Sequence, residues 1–285
     1  VWTMHDMWPC TGICHHARDC EKFQTECESC FFLKSKGKDL STSVFDKKMS
    51  LYKDANITFV GCSRWLSGRA KKSYLLRGKA VLSIPNPIDT KVYHPMDQGM
   101  ARELLGLPSG KRLLLFGALN VTDKRKGIDY LIEALRRMEK QDVELVVFGQ
   151  VKDDIRGLFP VPIHSMGYLS DESKIVALYN AVDMFITSSL EENLPNTIME
   201  SMACGTPCVG FEIGGIPEMI DHRVNGYVAN YKDAGDLANG IQWVLEHEDR
   251  LALSDACVKK VQENYTEEVV AKQYTALYEK LLKGE

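Results

Sequence analysis

Residues 184–207 read Met184-Phe185-Ile186-Thr187-Ser188-Ser189-Leu190-Glu191-Glu192-Asn193-Leu194-Pro195-Asn196-Thr197-Ile198-Met199-Glu200-Ser201-Met202-Ala203-Cys204-Gly205-Thr206-Pro207. Met184 to Thr187 has no polar alternation, the pattern of a strand covered on both faces. Asn196 to Cys204 reads as a helix, and Gly205 stops it. Pro207 to Phe211 reads as the next strand. The same alternation runs upstream. Leu113 to Phe116 and Glu144 to Phe148 are apolar strands, and Gly127 to Met138 carries Ile128, Leu131, Ile132 and Leu135 at helical spacing. Helix Glu172 to Ala181 turns Ile175, Leu178 and Tyr179 inward. Buried strands separated by helices make a parallel sheet, so this half is expected to be a doubly wound α/β domain. Such sheets bind ligands beyond the carboxyl ends of their strands, which directs attention to the loops after Phe116, Phe148, Thr187 and Phe211.

Further outward the pattern thins. Asn56 to Val60 and Ala80 to Ile84 read as strands, with a helix over Ser63 to Ala70 that Ser63 can cap. Pro85-Asn86-Pro87-Ile88-Asp89 and His94-Pro95 form a stiff connector. The expected organisation is therefore a partial first lobe over 1–88, a second over 89–264, and a closing helix over 265–285. That helix, Glu267 to Leu282, places Val270, Tyr274, Leu277, Tyr278 and Leu281 on one face, a stripe expected to pack back toward the first lobe.

The 285 residues, 45% hydrophobic, suffice for two ordinary cores. The net charge of −4 is spread without long blocks of one sign, which excludes bulk nucleic-acid affinity. No run of 18 apolar residues and no leader is present, so nothing is expected to span a membrane. The opening Val1-Trp2-Thr3-Met4-His5-Asp6 reads as the end of a strand, as if the chain were a fragment. Nine cysteines, an odd number, argue against a secreted disulfide framework and for a reducing cytoplasm.

The chemistry concentrates in the first stretch quoted. Its loop precedes a helix whose first amides, Thr197 and Ile198 among them, can accept a phosphate with help from the helix dipole. Glu192 lies in the loop and Glu200 on the helix. Carboxylates bind the vicinal hydroxyls that sugars present. Asp123-Lys124-Arg125-Lys126-Gly127 supplies cations where a diphosphate leaving group would gain charge. Taken alone, two glutamates eight apart would be a solvated helix face, and the basic turn a solvated turn.

The segment from Glu192 to Glu200 resembles the E-x7-E motif of retaining GT-B glycosyltransferases. The likeness extends through Gly205-Thr206-Pro207, Gly214-Gly215-Ile216-Pro217-Glu218 and Asn225-Gly226-Tyr227. In detail it is similar to the family-4 (group 1) enzymes of capsular and exopolysaccharide synthesis, including the colanic-acid type. The resemblance implies two Rossmann-like lobes, the first incomplete, and a nucleotide diphosphate sugar donor. It implies a glycan or lipid-linked acceptor and no cofactor for catalysis. It assigns Glu200 to the donor ribose, Glu192 to the transferred sugar and Lys126 to the diphosphate. Asn193, Leu194, Asn196, Thr197, Ile198 and Gly117 then line the donor site. The family usually has an arginine directly after the strand's glycine; here Gly117-Ala118 stands, and Arg125 is the substitute expected from proximity. His5 matches the histidine that faces the donor sugar from the first lobe, and Met166-Gly167-Tyr168 is the stretch expected near the base. The work is expected in the cytoplasm, at the inner face of the plasma membrane. Peripheral membrane association would run through the missing N-terminal region, since no basic amphipathic surface is legible in these residues.

Cys14, Cys20, Cys27 and Cys30 offer four thiolates, for which a structural zinc and reduced, unliganded thiols are both open readings, with an iron-sulfur cluster behind them. Two rival functions also stand: a nucleotide-sugar epimerase of the same fold, and a nucleotide-sugar binding fragment without catalysis. A phosphorylase using a pyridoxal cofactor finds no matching lysine. G-x4-G-K-S/T, G-x-G-x-x-G and H-E-x-x-H motifs are all missing.

Overall fold

A computed structural model of the chain describes residues 1–120, 123–138, 142–150 and 156–284. It divides into two compact units, Val1–Pro85 and Asn86–Glu285, the break falling within the proline-rich connector.

The first unit is a small parallel sheet. β1 (Trp2–Met4) is followed by the long irregular segment 5–39, then α1 (Leu40–Lys53), β2 (Phe59–Gly61), α2 (Arg64–Lys72) and β3 (Val81–Ser83). The strand order is β1-β2-β3, with Trp2 opposite Phe59 and Phe59 opposite Val81. Both later strands are shorter than the apolar runs that announce them. Asp39 starts α1 with a capping box, and Ser63 caps α2 by accepting from the Leu66 amide. Residues 5–39 hold only short 3-10 turns, at Trp8–Cys10 and Lys22–Gln24. A buried lysine organises their base. Lys48 Nζ donates to the carbonyls of Trp8 (2.6 Å), Thr11 (3.0 Å) and Gly12 (3.1 Å) and lies 3.5 Å from the centre of the Trp8 ring.

The second unit carries the doubly wound sheet. After α3 (Gln98–Leu105) come β4 (Arg112–Asn120), α4 (Ile128–Arg137), β5 (Val143–Gln150), β6 (Ile163–Gly167), α5 (Glu172–Ala181), β7 (Met184–Thr187), α6 (Asn196–Ala203), β8 (Cys208–Phe211), α7 (Ile216–Met219) and β9 (Gly226–Ala229). Three helices finish the chain: α8 (Ala234–Leu245), α9 (Arg250–Asn264) and α10 (Glu267–Leu282). All strands run parallel in the order β6-β5-β4-β7-β8-β9. Strand order therefore reverses between β4 and β7, the position where α/β sheets open a crevice.

The core is continuous: Leu114, Phe116, Leu145, Val147, Ile186, Val209 and Phe211 of the strands pack against Leu131, Leu135, Leu237 and Ile241 of α4 and α8. At the opposite strand ends one buried carboxylate ties elements together. Asp183 accepts from Arg102 (3.1 Å) and the Leu113 amide (2.7 Å), pairs with Arg250 at 2.8 Å, and has Arg112 at 3.5 Å.

In α10, Val270 and Leu277 are buried, whereas Tyr278 and Leu281 are exposed, so only part of the stripe is covered. The start of α10 is tied to the connector: the Ile88 amide donates to Tyr265 O at 2.8 Å, and Ile88 bridges Thr266. By contacts this helix belongs to the second unit. No described helix is long and apolar enough to cross a membrane.

Candidate functional site

Three loops meet at the β4–β7 reversal, and main chain stitches them together. The loop after β4 closes in a 3-10 turn, Lys124–Lys126, which Asp123 caps and Gly127 ends at φ 64°. A Cβ on Gly127 would lie 1.9 Å from Ser188 O, so the turn and the loop after β7 can approach this closely only with glycine there. The Leu190 amide donates to Arg125 O (2.7 Å), and Ser188 Oγ donates to Lys126 O (3.0 Å). The loop after β8 joins from the other side. Gly215 N donates to Asn193 O at 2.5 Å, and a Cβ on Gly214 (φ 59°) would come within 2.1 Å of Glu192 O. Tyr231 adds a hydroxyl bond to Leu190 O at 3.1 Å.

This lacing fixes the side chains expected to act. Lys126 Nζ contacts Glu192 Oε1 at 2.5 Å, across 66 residues of chain. Glu192 is mostly covered and Lys126 one-third exposed, so the ammonium remains within reach of a ligand. Arg125 turns instead to Asp123, which it meets through Nη2 at 2.6 Å; its side chain is 62% exposed. That contact holds the Asp123 carboxyl below its usual range.

Glu200 sits in the second turn of α6. Its Oε2 accepts from the Tyr179 hydroxyl at 2.8 Å, and Tyr179 is fully buried in α5. Burial raises the Glu200 carboxyl above its ordinary value, the Tyr179 bond opposes that rise, and Glu172 nearby adds to it. Tyr93 in the connector is pushed up by burial and by the charges of Glu200 and Glu172. Phe148 completes this wall. It stands edge-on to Tyr179 with centroids 6.3 Å apart. Its ring also covers Gly117, where a Cβ would meet Phe148 Cε1 at 1.8 Å. The position after the glycine of β4 thus carries no cation: Ala118 is buried, and aromatic surface occupies the space beside Gly117.

The remaining expected residues distribute as follows. Asn193 lies in the loop with its carbonyl engaged by Gly215, Leu194 is buried, and Asn196 and Thr197 open α6, whose N-terminus no side chain caps. The Ile198 amide was expected to be free and is not: it donates to Pro195 O at 3.1 Å, and its side chain is wholly buried. Closure of the first turn on Pro195 explains the difference. Tyr168 is exposed immediately after β6, which takes up Met166 and Gly167, so part of the expected base loop is strand. His5 is exposed, next to the end of β1 in the first unit.

Cys14, Cys20, Cys27 and Cys30 are free thiols, and among the described residues no three His, Cys, Asp or Glu side chains are arranged to hold a metal ion. Cys27 is buried and accepts from the Gly12 amide at 3.3 Å; burial pushes its thiol up to about 11, and that of Cys14 upward as well, favouring the protonated form.

Sequence reading missed Tyr179, Phe148, Tyr93 and Glu172 as site residues. Phe148 ends an apolar strand at the carboxyl edge, which is a signal. Tyr179 reads as an ordinary core position, because helical periodicity says nothing about where a hydroxyl points.

Residues 110–247 match the sequence model of the family described as Glycosyl transferases group 1. That stretch lies wholly within the second unit, whose sequence is thus similar to group 1 glycosyltransferases. Among curated relatives, the chain is 24% identical over 213 residues to N-acetyl-alpha-D-glucosaminyl L-malate synthase of Bacillus anthracis, covering 73% of this chain and 55% of that one. The chain spans about half the length of the curated relatives it matches. Among solved structures it resembles sucrose-phosphate synthase from Thermosynechococcus elongatus, with TM-score 0.73 at 21% identity over 95% of this chain and 67% of that one. It also resembles HepE of Anabaena in complex with UDP and glucose, with TM-score 0.68 at 18% identity over 83% and 67% of the two chains. The chain thus has the mixed α/β, parallel-sheet architecture of GT-B glycosyltransferases.

Proposed function

We propose that the chain belongs to a retaining glycosyltransferase that moves a sugar from a nucleotide diphosphate donor to a glycan or lipid-linked acceptor in polysaccharide biosynthesis. The observation that carries this reading is the Lys126–Glu192 contact of 2.5 Å at the sheet's reversal point, with Glu200 on the helix that follows. A lysine fixed between two loops is poised to exchange a carboxylate for the donor's diphosphate. The partnership of Glu200 with Tyr179 leaves its second oxygen for a diol such as ribose. HepE's complex with UDP and glucose makes a uridine donor the first to try.

In the proposed step the bond between the anomeric carbon and the diphosphate oxygen breaks, and the electron pair leaves with the diphosphate. Lys126 and the start of α6 stabilise that growing charge. The acceptor hydroxyl attacks from the same face, and its proton passes to the departing phosphate oxygen. The other route to retention is a covalent sugar ester on Glu192, displaced in a second step by the acceptor. The first unit would hold the acceptor, with His5 at its strand end.

Thermal shift with UDP, GDP and ADP sugars is the direct test. One nucleotide class is expected to raise the midpoint, and Glu200→Ala to abolish that rise. Lys126→Ala should lower turnover by roughly 100- to 1,000-fold, the usual loss on removing one stabiliser of transition-state charge. An unchanged shift in Glu200→Ala would sink the donor assignment. Because the chain spans only about half of its relatives' length, a binding role without transfer is the second reading. Donor binding without product would favour it, and epimerised sugar from donor alone would favour an epimerase.

A further inference from the structure

In the first unit, the segment Phe31-Phe32-Leu33-Lys34-Ser35-Lys36-Gly37-Lys38-Asp39-Leu40 has a composition that a water-facing loop does not need. Phe31, Phe32 and Leu33 are 47%, 44% and 39% exposed, and Leu40 is 60% exposed. Scattered exposed apolar residues are ordinary, whereas three consecutive large ones on one turn are not. Lys34, Lys36 and Lys38 are exposed beside them, and the Arg18 guanidinium lies 5.7 and 5.3 Å from the two phenylalanine ring centres.

The turn is also built to hold this shape. The Ser29 amide donates to Gly37 O and the Gly37 amide to Ser29 Oγ, both at 2.8 Å, closing the neck. The Leu33 and Ser35 amides both donate to Cys30 O, at 3.1 and 3.3 Å. Lys34 takes a left-handed backbone at φ 51°, which disfavours any residue with a Cβ. The one acid in the stretch, Asp39, is spent on the neck and on capping α1: it accepts from the amides of Cys30 and Ser41, each at 2.8 Å. The tip therefore presents aromatic surface and exposed ammonium groups in one preorganised unit.

We propose that the turn Phe31-Phe32-Leu33-Lys34 is a docking tip for an anionic lipid bilayer. Its rings enter the headgroup boundary, and Lys34, Lys36 and Lys38 meet acidic headgroups. Aromatic and aliphatic side chains flanked by cations match the lipid–water interface, where apolar burial and attraction to acidic lipids act together. A protein partner fits less well, because protein interfaces are depleted in lysine. The basic apolar surface that helical periodicity does not reveal thus resides in a turn. This inference is independent of the transfer reaction.

Co-sedimentation of the full chain with vesicles tests it, using phosphatidylcholine alone and a mixture of two parts phosphatidylcholine to one part phosphatidylglycerol. The wild type is expected to bind the acidic vesicles, less tightly as salt rises. Phe31→Ser with Phe32→Ser should lower the partition coefficient roughly 100-fold, as expected for two rings leaving an apolar boundary. Lys34→Gln, Lys36→Gln and Lys38→Gln together should lower it at least about tenfold. Both variants change exposed side chains, so circular dichroism and thermal midpoint should stay at wild-type values. No binding by the wild type, equal binding to both vesicle types, or unaltered binding by the variants would overturn the proposal. So would concentration-dependent dimerisation, without vesicle binding, that the phenylalanine changes abolish; a second copy would then be the occupant.

Discussion

The two units are ordered by different means. The second surrounds a six-stranded sheet with helices, and its interior is a continuous set of branched and aromatic side chains. The first has a three-stranded sheet, and much of its chain, residues 5–39, is placed by hydrogen bonds to Lys48, Asp39 and Ser29. An apolar core tolerates small losses because many contacts share them. A polar scaffold concentrates its stability in single donors and acceptors, whose loss strands several buried groups at once. The same distinction operates inside the second unit, where Asp183 is the exception to apolar packing.

Asp183 therefore offers the largest expected effect. Asp183→Ala leaves Arg102 buried without its carboxylate and removes the partner of Arg250 and the Leu113 amide. Breaking a buried pair from one side costs about 3–5 kcal/mol. Urea unfolding followed by the near-ultraviolet signal should show that loss, and a cost near zero would mean that the apolar core alone holds β4 and β7 in register. Gly127→Ala comes next. Its methyl would lie within van der Waals distance of Ser188 O in a left-handed backbone, so about 1–3 kcal/mol is expected. Its sharper consequence is functional: the turn and the β7 loop must separate, and donor binding through Lys126 and Glu192 should weaken together with stability.

In the first unit, Lys48→Met tests the polar scaffold. Two buried carbonyls and the partly buried one of Trp8 lose their shared donor, but the cost of burying an ammonium also disappears; that burial lowers the Lys48 amine to about 8. The net expectation is a loss of about 1–2 kcal/mol. Thiol alkylation can localise it. Cys10 and Cys27 should react faster in the variant, while Cys204, Cys208 and Cys257 in the second unit keep their wild-type rates, all five being buried in the native chain. Equal acceleration in both units would show that they unfold as one.

The contrast also explains what could be read in advance. β7 and the helices over Glu172–Ala181 and Glu267–Leu282 match their apolar patterns to the residue, because in a covered sheet periodicity and burial are the same information. β6 is not announced by its sequence. It is a partly buried edge strand whose Ile163-His164-Ser165-Met166 has no strong alternation. The partnership of Lys126 and Glu192 could be anticipated from a motif, but not the glycine contacts that set their spacing. Tyr179 under Glu200 and Phe148 over Gly117 were invisible, since contacts between residues far apart in sequence leave no local period. In residues 5–39 little beyond the cysteines stood out, and the order there comes from side-chain-to-backbone bonds that no spacing announces.

Glu200 gives the smallest effect and the one whose sign is most informative. Its carboxyl is raised above the unfolded value, chiefly by burial. A carboxyl raised in the folded state gives stability that is fully present below the unfolded value and lost as pH rises through the folded one. At neutral pH the empty protein therefore holds an ionised Glu200 at a cost. Glu200→Gln should raise the thermal midpoint slightly at pH 7, and the gain should shrink as the pH falls through the raised folded value and be gone below about 4, the unfolded range. The Tyr179 hydroxyl keeps an acceptor in the glutamine side chain, which limits structural damage. If the substitution destabilises at pH 7, the Tyr179 bond outweighs desolvation, and Glu200 is a structural acid like Asp183. If it stabilises the empty protein while removing the nucleotide-dependent shift, then a stability cost is retained where a ligand is to be bound.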